Sequence, residues 1–202
     1  MKHFLLMIAA TLGLAACGET FTAAERDVIH ADGQGIMRVL SIDIEADSLA
    51  LREESLPMSE PLLRSEEYAL LRERMLLTVQ NPEAEGVGIA APQVGVRRNI
   101  IAVQRFDKEG EPFEFYLNPE IVERIGEKAD GGEGCLSVPE LYGNVSRWQE
   151  IVLRYRDEQW VEHTERIEGF TAVIFQHEVD HLSGRLFIDY LSAEGFEEPI
   201  AE

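Results

Sequence analysis

The run His177-Glu178-Val179-Asp180-His181 carries two histidines four residues apart. On a helix, positions i and i+4 stand one above the other, so two imidazoles at that spacing can ligate one metal ion. Glu178 lies beside them, placed to manage the proton of a water molecule that the ion activates. The same five residues also fit an amphipathic helix whose histidines make ordinary hydrogen bonds. Further ligands must decide. The three-histidine pattern H-E-x-x-H-x-x-G-x-x-H is followed through Gly184, and then Phe187 occupies the third-ligand position. His3, His30 and His163 show no ligand spacing.

The remaining soft donor is Cys135, in Gly132-Glu133-Gly134-Cys135-Leu136-Ser137. A thiolate with two imidazoles makes a three-ligand site with an open position, as expected of a catalytic metal rather than a closed structural one. A free cysteine is more commonly a small buried apolar residue. Glycines on both sides of Glu133, however, argue for a tight backbone that core packing does not require. A third segment runs Gly86-Val87-Gly88-Ile89-Ala90-Ala91-Pro92-Gln93-Val94-Gly95. Its glycines allow close approach of backbone to a ligand, and the Gln93 amide can donate a hydrogen bond. Without the lysine of a phosphate loop, the segment alone fits a structural turn equally well.

These residues need elements to hold them. From Ser65 to Gln80 the pattern is helical, with Glu66 and Glu67 complementing the dipole in the first turn. Tyr68, Leu71, Met75 and Val79 give one buried face, and Asn81-Pro82 ends the helix. After a loop at 81–95, Asn99–Phe106 and Phe113–Asn118 read as strands. Glu150–Tyr155 and Trp160–Ile167 read as a hairpin around Asp157-Glu158-Gln159. Phe170–Leu182 is a second, more apolar and therefore central helix, stopped by Gly184. The class is α+β, with short strands wrapped round one buried helix.

Composition narrows the function. The chain has 202 residues, 45% hydrophobic and 28% charged, enough for one domain with a full core. With 38 acidic against 18 basic residues the net charge is -20. Nucleic-acid binding is disfavoured, because phosphate contacts need clustered Lys and Arg. Two cysteines, Cys17 and Cys135, make no disulfide framework.

Cys17 belongs to a different signal. Met1-Lys2-His3 is followed by an apolar run from Phe4 to Leu14, then Leu14-Ala15-Ala16-Cys17-Gly18. That is a signal peptide in charge and length, too short to span a bilayer. Its end resembles the lipobox of bacterial lipoproteins, which implies a lipidated Cys17 and stable anchoring by several acyl chains. The expected organisation is a signal peptide over 1–16, a lipid-anchored Cys17 with a flexible tether over 17–36, and a single catalytic domain over 37–202. A start at Met37 would instead give a cytoplasmic protein.

Taken together, the three motifs resemble peptide deformylase. That family's pattern is G-x-G-x-A-A-x-Q, E-G-C-L-S and H-E-x-D-H in this order, intact here as Gly86–Gln93, Glu133–Ser137 and His177–His181. The resemblance runs from about Met37 to Leu191 and includes Leu117-Asn118-Pro119 and Phe187-Ile188-Asp189. It implies the family's α+β fold, with short antiparallel strands packed round a central metal-binding helix. It further implies that Cys135, His177 and His181 hold one divalent ion, ferrous iron (Fe2+) in many members, with zinc (Zn2+), nickel (Ni2+) or cobalt (Co2+) able to substitute. Glu178 would move the proton, while Gln93 and the Leu136 backbone N–H would donate to the oxyanion. Val87, Val173 and Ile174 would line a methionine pocket, and Gly88 would let the substrate backbone run alongside. The substrate implied is an N-formyl-methionyl peptide, and formate is released.

Two departures stand out. Many relatives carry an arginine seven residues beyond the metal cysteine, where this chain has Tyr142. The tail from Ala193 to Glu202 is acidic and proline-broken, against docking on the ribosome. The lipobox points to the periplasm or cell exterior, away from nascent chains. Alternatives are an exported metallopeptidase or amidase on the same scaffold, and a lipoprotein that binds formyl peptides without turning them over.

Overall fold

The computed structural model describes residues 20–31, 35–83, 86–191 and 196–197. The expected signal segment and Cys17 lie outside the described residues. In chain order the elements are helices α1 (Ala23–His30), α2 (Glu45–Leu51), α3 (Glu60–Leu63) and α4 (Glu66–Val79), then strand β1 (Gly88–Ala90) with a 3-10 turn over Ala91–Val94. Strands β2 (Ile100–Gln104), β3 (Phe113–Cys135), β4 (Val138–Arg156) and β5 (Glu162–Glu168) follow. Helix α5 (Gly169–Leu182), a 3-10 turn over Phe187–Tyr190 and the short β6 (Phe196–Glu197) complete the chain. The sheet is antiparallel in the order β1-β2-β3-β4-β5, with β6 paired to β4. This is the expected α+β class.

The β1–β2 part of the sheet is buried on both faces, and β2 shows why. Its sequence Ile-Ile-Ala-Val is continuously apolar because alternate side chains serve opposite cores. Ile100 and Ala102 join Leu71, Met75 and Val79 of α4, whereas Ile101 and Val103 join Ala172, Ile174 and Phe175 of α5. Helix α4 starts where expected, with Ser65 Oγ accepting the Tyr68 N–H at 3.1 Å. Helix α5 ends at Leu182, and Gly184 just beyond its cap has a φ of +67° that suits glycine, and a Cβ there would lie 2.6 Å from the Arg52 carbonyl carbon.

Two stretches differ from the sequence reading. The strand expected over Phe113–Asn118 continues to Cys135. Asn118 adopts φ +50° and the register shifts between Leu117 and Glu120, so a bulge absorbs Pro119 and pairing resumes beyond it. The stretch read as a flexible tether over 17–36 contains α1, docked on the domain. Thr22 Oγ1 accepts the Glu25 N–H at 3.1 Å and Glu25 Oε2 accepts the Thr22 N–H at 2.7 Å, a capping box. Phe21 and Ile29 are buried in the α4 core. The carboxylate of Glu25 meets the buried Arg98 through Nε at 2.7 Å and Nη2 at 2.9 Å. At the helix's other end Arg74 Nη1 donates to the Ile29 carbonyl at 2.7 Å, a cation where the dipole favours one.

Candidate active site

Strand β3 delivers Cys135 at its end, next to the turn Leu136-Ser137 that leads into β4. Helix α5 crosses beneath and presents His177 and His181 from one face. The ligand atoms of Cys135, His177 and His181 all lie within 4.8 Å of one another, with Cys135 Sγ 3.3 Å from His181 Nε2. One thiolate and two imidazoles at that spacing suit a single divalent transition ion with a further position open.

The surroundings fit a cation. His177 Nδ1 donates to Glu133 Oε2 at 2.8 Å, which orients the ring so that Nε2 is the atom offered toward Cys135. Burial alone would lower the His177 pKa, but Cys135 and Glu133 outweigh it and raise the pKa, so this point favours positive charge. His181 is shifted the other way, kept neutral by burial and by His177. Its Nδ1 and the Glu178 Oε2 are buried without a hydrogen-bond partner among the described residues. Burial pushes the Glu178 carboxyl up to about 7, the range in which a group can both take and give a proton.

Two charged residues that sequence reasoning left without a role lock this site together. Glu133 is held well ionised although burial raises its pKa, because His177 and Arg147 both hydrogen-bond to it. Arg147, in β4, donates from Nε to Glu133 Oε1 at 2.6 Å and from Nη1 to Asp180 Oδ2 at 2.5 Å. One buried guanidinium thus ties the cysteine-bearing strand to the histidine-bearing helix. Glu133 stood inside a recognised motif, but Arg147 lies in unremarkable strand sequence. Only the pairing of β3 with β4 brings it under the site.

A cleft of about 450 Å3 opens over the donors, and its lining includes Cys135, His177, Glu178, Gln93, Leu136, Val87, Gly88, Val173 and Ile174. His181 is buried beneath. All the catalytic, metal and pocket residues singled out in the sequence therefore meet at one place. Gln93 is fixed by its Oε1, which accepts the Ala90 N–H at 2.9 Å, so its Nε2 points toward Cys135 Sγ at 3.5 Å and Ser137 Oγ at 3.4 Å. Gly88 packs directly on Glu178: a Cβ there would lie 2.9 Å from both Cγ and Cδ of that side chain. The glycine is needed for the carboxylate as well as for any ligand.

The arrangement can polarise a carbonyl, move a proton and stabilise an oxyanion. Residues 41–197 match the Polypeptide deformylase family. A peptide deformylase of Leptospira biflexa serovar Patoc is 39% identical over 150 residues, covering 71% of this chain and 83% of the relative. Peptide deformylase 2 of Xanthomonas axonopodis pv. citri is 40% identical over 142 residues, 70% of this chain and 81% of the relative. Among solved structures, the Met-Ala-Ser-bound class I type b peptide deformylase of Acinetobacter baumannii superposes with a TM-score of 0.69 at 34% identity, over 78% of this chain and 99% of that one. Motifs, site geometry and relatives agree, and the chain belongs to the peptide deformylase family of metal-dependent hydrolases.

Proposed function

We propose that this protein hydrolyses the formyl amide of N-formyl-methionyl peptides, releasing formate and a free amine. The observation that carries the reading is the convergence of the Cys135–His177–His181 donor set, the Glu178 carboxyl and the Gln93 amide in one cleft. The Acinetobacter structure that holds Met-Ala-Ser supports a peptide as ligand. Cys135, His177 and His181 would hold one divalent ion, ferrous iron by preference with zinc, nickel or cobalt able to substitute, and it would supply Lewis acidity there. Glu178 accepts a proton from the attacking water and returns it to the departing amine nitrogen. Its buried, unpartnered Oε2 leaves the carboxyl free for both transfers. Gln93 Nε2 and the Leu136 backbone N–H donate to the oxygen that gains charge as the tetrahedral centre forms. Val87, Val173 and Ile174 give the methionine side chain an apolar wall, and the small formyl hydrogen fits where an acetyl methyl would crowd the site.

The protein acts outside the cytoplasm, anchored through a lipidated Cys17. The support is the charged start, the apolar run and the Leu14-Ala15-Ala16-Cys17 box. Docking of α1 from Phe21 onward leaves the domain close to that anchor, and the substrates are formyl peptides met at the membrane rather than nascent chains. Membrane fractionation with Cys17→Ala as control tests the location: recovery of the unaltered protein wholly in the cytosol overturns it. Formate release from formyl-Met-Ala-Ser tests the chemistry. Amino acids without formate would mean a peptidase instead.

A further inference from the structure

Buried polar atoms without a partner mark the catalytic cleft, but two more lie elsewhere. Ser55 Oγ and Asn99 Oδ1 are buried and have no hydrogen-bond partner among the described residues. Ser55 as a whole is only 6% exposed. Leaving such groups unmet is costly, so each calls for something that pairs with it. Both residues line one pocket of about 230 Å3 at the last turn of α5. Val179, Leu182 and Ser183 face this pocket, whereas Val173, His177 and Glu178 face the first cleft. At 100° per residue these two sets stand on opposite sides of the helix. Backbone bonds fix the walls. Ser55 N donates to the Leu182 carbonyl at 2.8 Å, and Asn99 N donates to the Leu56 carbonyl at 2.8 Å. Across from them the β3 bulge turns Pro119 into the pocket lining. Asn118 anchors that bulge, accepting the Met58 N–H at 2.7 Å and donating to the Met58 carbonyl at 3.0 Å.

The edge of this pocket carries charge of both signs. Glu54 and Arg124 line it and are exposed, and neither forms an ion pair among the described residues. Glu120 beside them is already held by Arg154. The negative end of the α5 dipole favours a cationic group inside, next to the Ser55 and Asn99 oxygens. Ile121, Val179 and Leu182 supply apolar wall. The volume lies below the roughly 300 Å3 at which drug-sized sites begin, so the ligand is small. A short aliphatic body with one ammonium and one carboxylate meets all of these groups at once.

We propose that this pocket is a second binding site, for a free aliphatic α-amino acid. Ser55 Oγ, Asn99 Oδ1 and Glu54 take the ammonium, Arg124 takes the carboxylate, and Val179 and Leu182 carry the side chain. The site is independent of the formyl chemistry. The test is calorimetric titration of the metal-loaded protein with L-leucine, with Met-Ala-Ser at saturation to occupy the first cleft. Expected is a Kd on the order of 0.1–1 mM. Leucinamide, which lacks the carboxylate, and isocaproate, which lacks the amine, should each bind about tenfold more weakly or worse. Glu54→Gln and Arg124→Gln change exposed positions, so they should leave the unfolding midpoint in place while each weakens leucine about tenfold. Ser55→Ala should weaken it about fivefold. No saturable heat up to about 20 mM leucine means that water alone meets the two oxygens, and overturns the proposal. Leucinamide binding as tightly as leucine overturns it too, since a cation would then suffice. Leucine binding abolished by Met-Ala-Ser, or untouched by both edge variants, would place the ligand elsewhere and equally overturn it.

Discussion

Gly88→Ala perturbs the site through a single methyl group. The added Cβ would sit 2.9 Å from Cγ and Cδ of Glu178 and closer still to Oε1. Carbon atoms rest about 3.5–4.0 Å apart. Glu178 is 3% exposed and Gly88 lies in a buried strand, so the carboxyl rather than the backbone must give way. Clearing the overlap moves it by roughly 1 Å, and a displacement of that size at a reacting group costs about a hundredfold in rate. The expected result is therefore a kcat for formate release about 10² below that of the unaltered protein. Metal content should be unchanged, and the stability should lie within about 1 kcal/mol. Product-peptide affinity should hold, which separates a displaced carboxylate from a blocked cleft. Glu178→Asp shortens the side chain and should partly relieve the crowding, so the two changes together cost less than the product of their separate effects. Gly88→Ala with more than a third of normal kcat would refute the reasoning, as would strict additivity with Glu178→Asp.

Other expectations follow from the same contacts. Glu25→Gln leaves the buried Arg98 guanidinium without its charge partner, and breaking such a pair should cost about 3 kcal/mol at pH 7 by denaturant unfolding. Burial raises the Glu25 pKa, but hydrogen bonds from Arg98 and Thr22 outweigh it and leave the pKa below the usual 4.5. The pair's contribution is thus complete above about pH 4.5 and fades as pH falls through the lower folded value. The gap between wild type and variant should narrow accordingly; a gap unchanged at pH 3 would contradict it. Gln93→Ala should lower kcat by about 10²–10³ with little change in Tm, since it removes an oxyanion donor. Arg147→Met should weaken metal retention about 10- to 100-fold in chelator competition, because Glu133 and Asp180 lose the cation that aligns them with His177 and the helix.

The site was more legible than its frame. The histidine spacing, the cysteine between glycines and the Gly86–Gln93 loop are local patterns, and each sits in one short element, so their chemistry could be read before any fold. The periodicity of Tyr68, Leu71, Met75 and Val79 gave α4 to within a residue at each end. The length of β3 was not readable, because Pro119 and the glycines at 126, 131 and 132 look like strand breakers until a partner strand absorbs them through register shifts. Helix α1 was missed for the opposite reason. Its capping box, Thr22-Ala23-Ala24-Glu25, was visible, but eight residues cannot sustain a helix alone. What holds it is tertiary: Phe21 and Ile29 in the core, Arg98 on Glu25 and Arg74 on the last carbonyls. Arg147 likewise has no sequence signal. Its role exists only because one strand pairing sets it between Glu133 and Asp180.

The central claim is that Glu178, beside a metal held by Cys135, His177 and His181, performs deformylation. The direct measurement is formate release from formyl-Met-Ala-Ser by residues 18–202 loaded anaerobically with ferrous iron, compared with the equally metallated Glu178→Gln protein. The account predicts turnover in the first and its loss in the second. No formate from the fully metallated protein, or undiminished formate from Glu178→Gln, would contradict it.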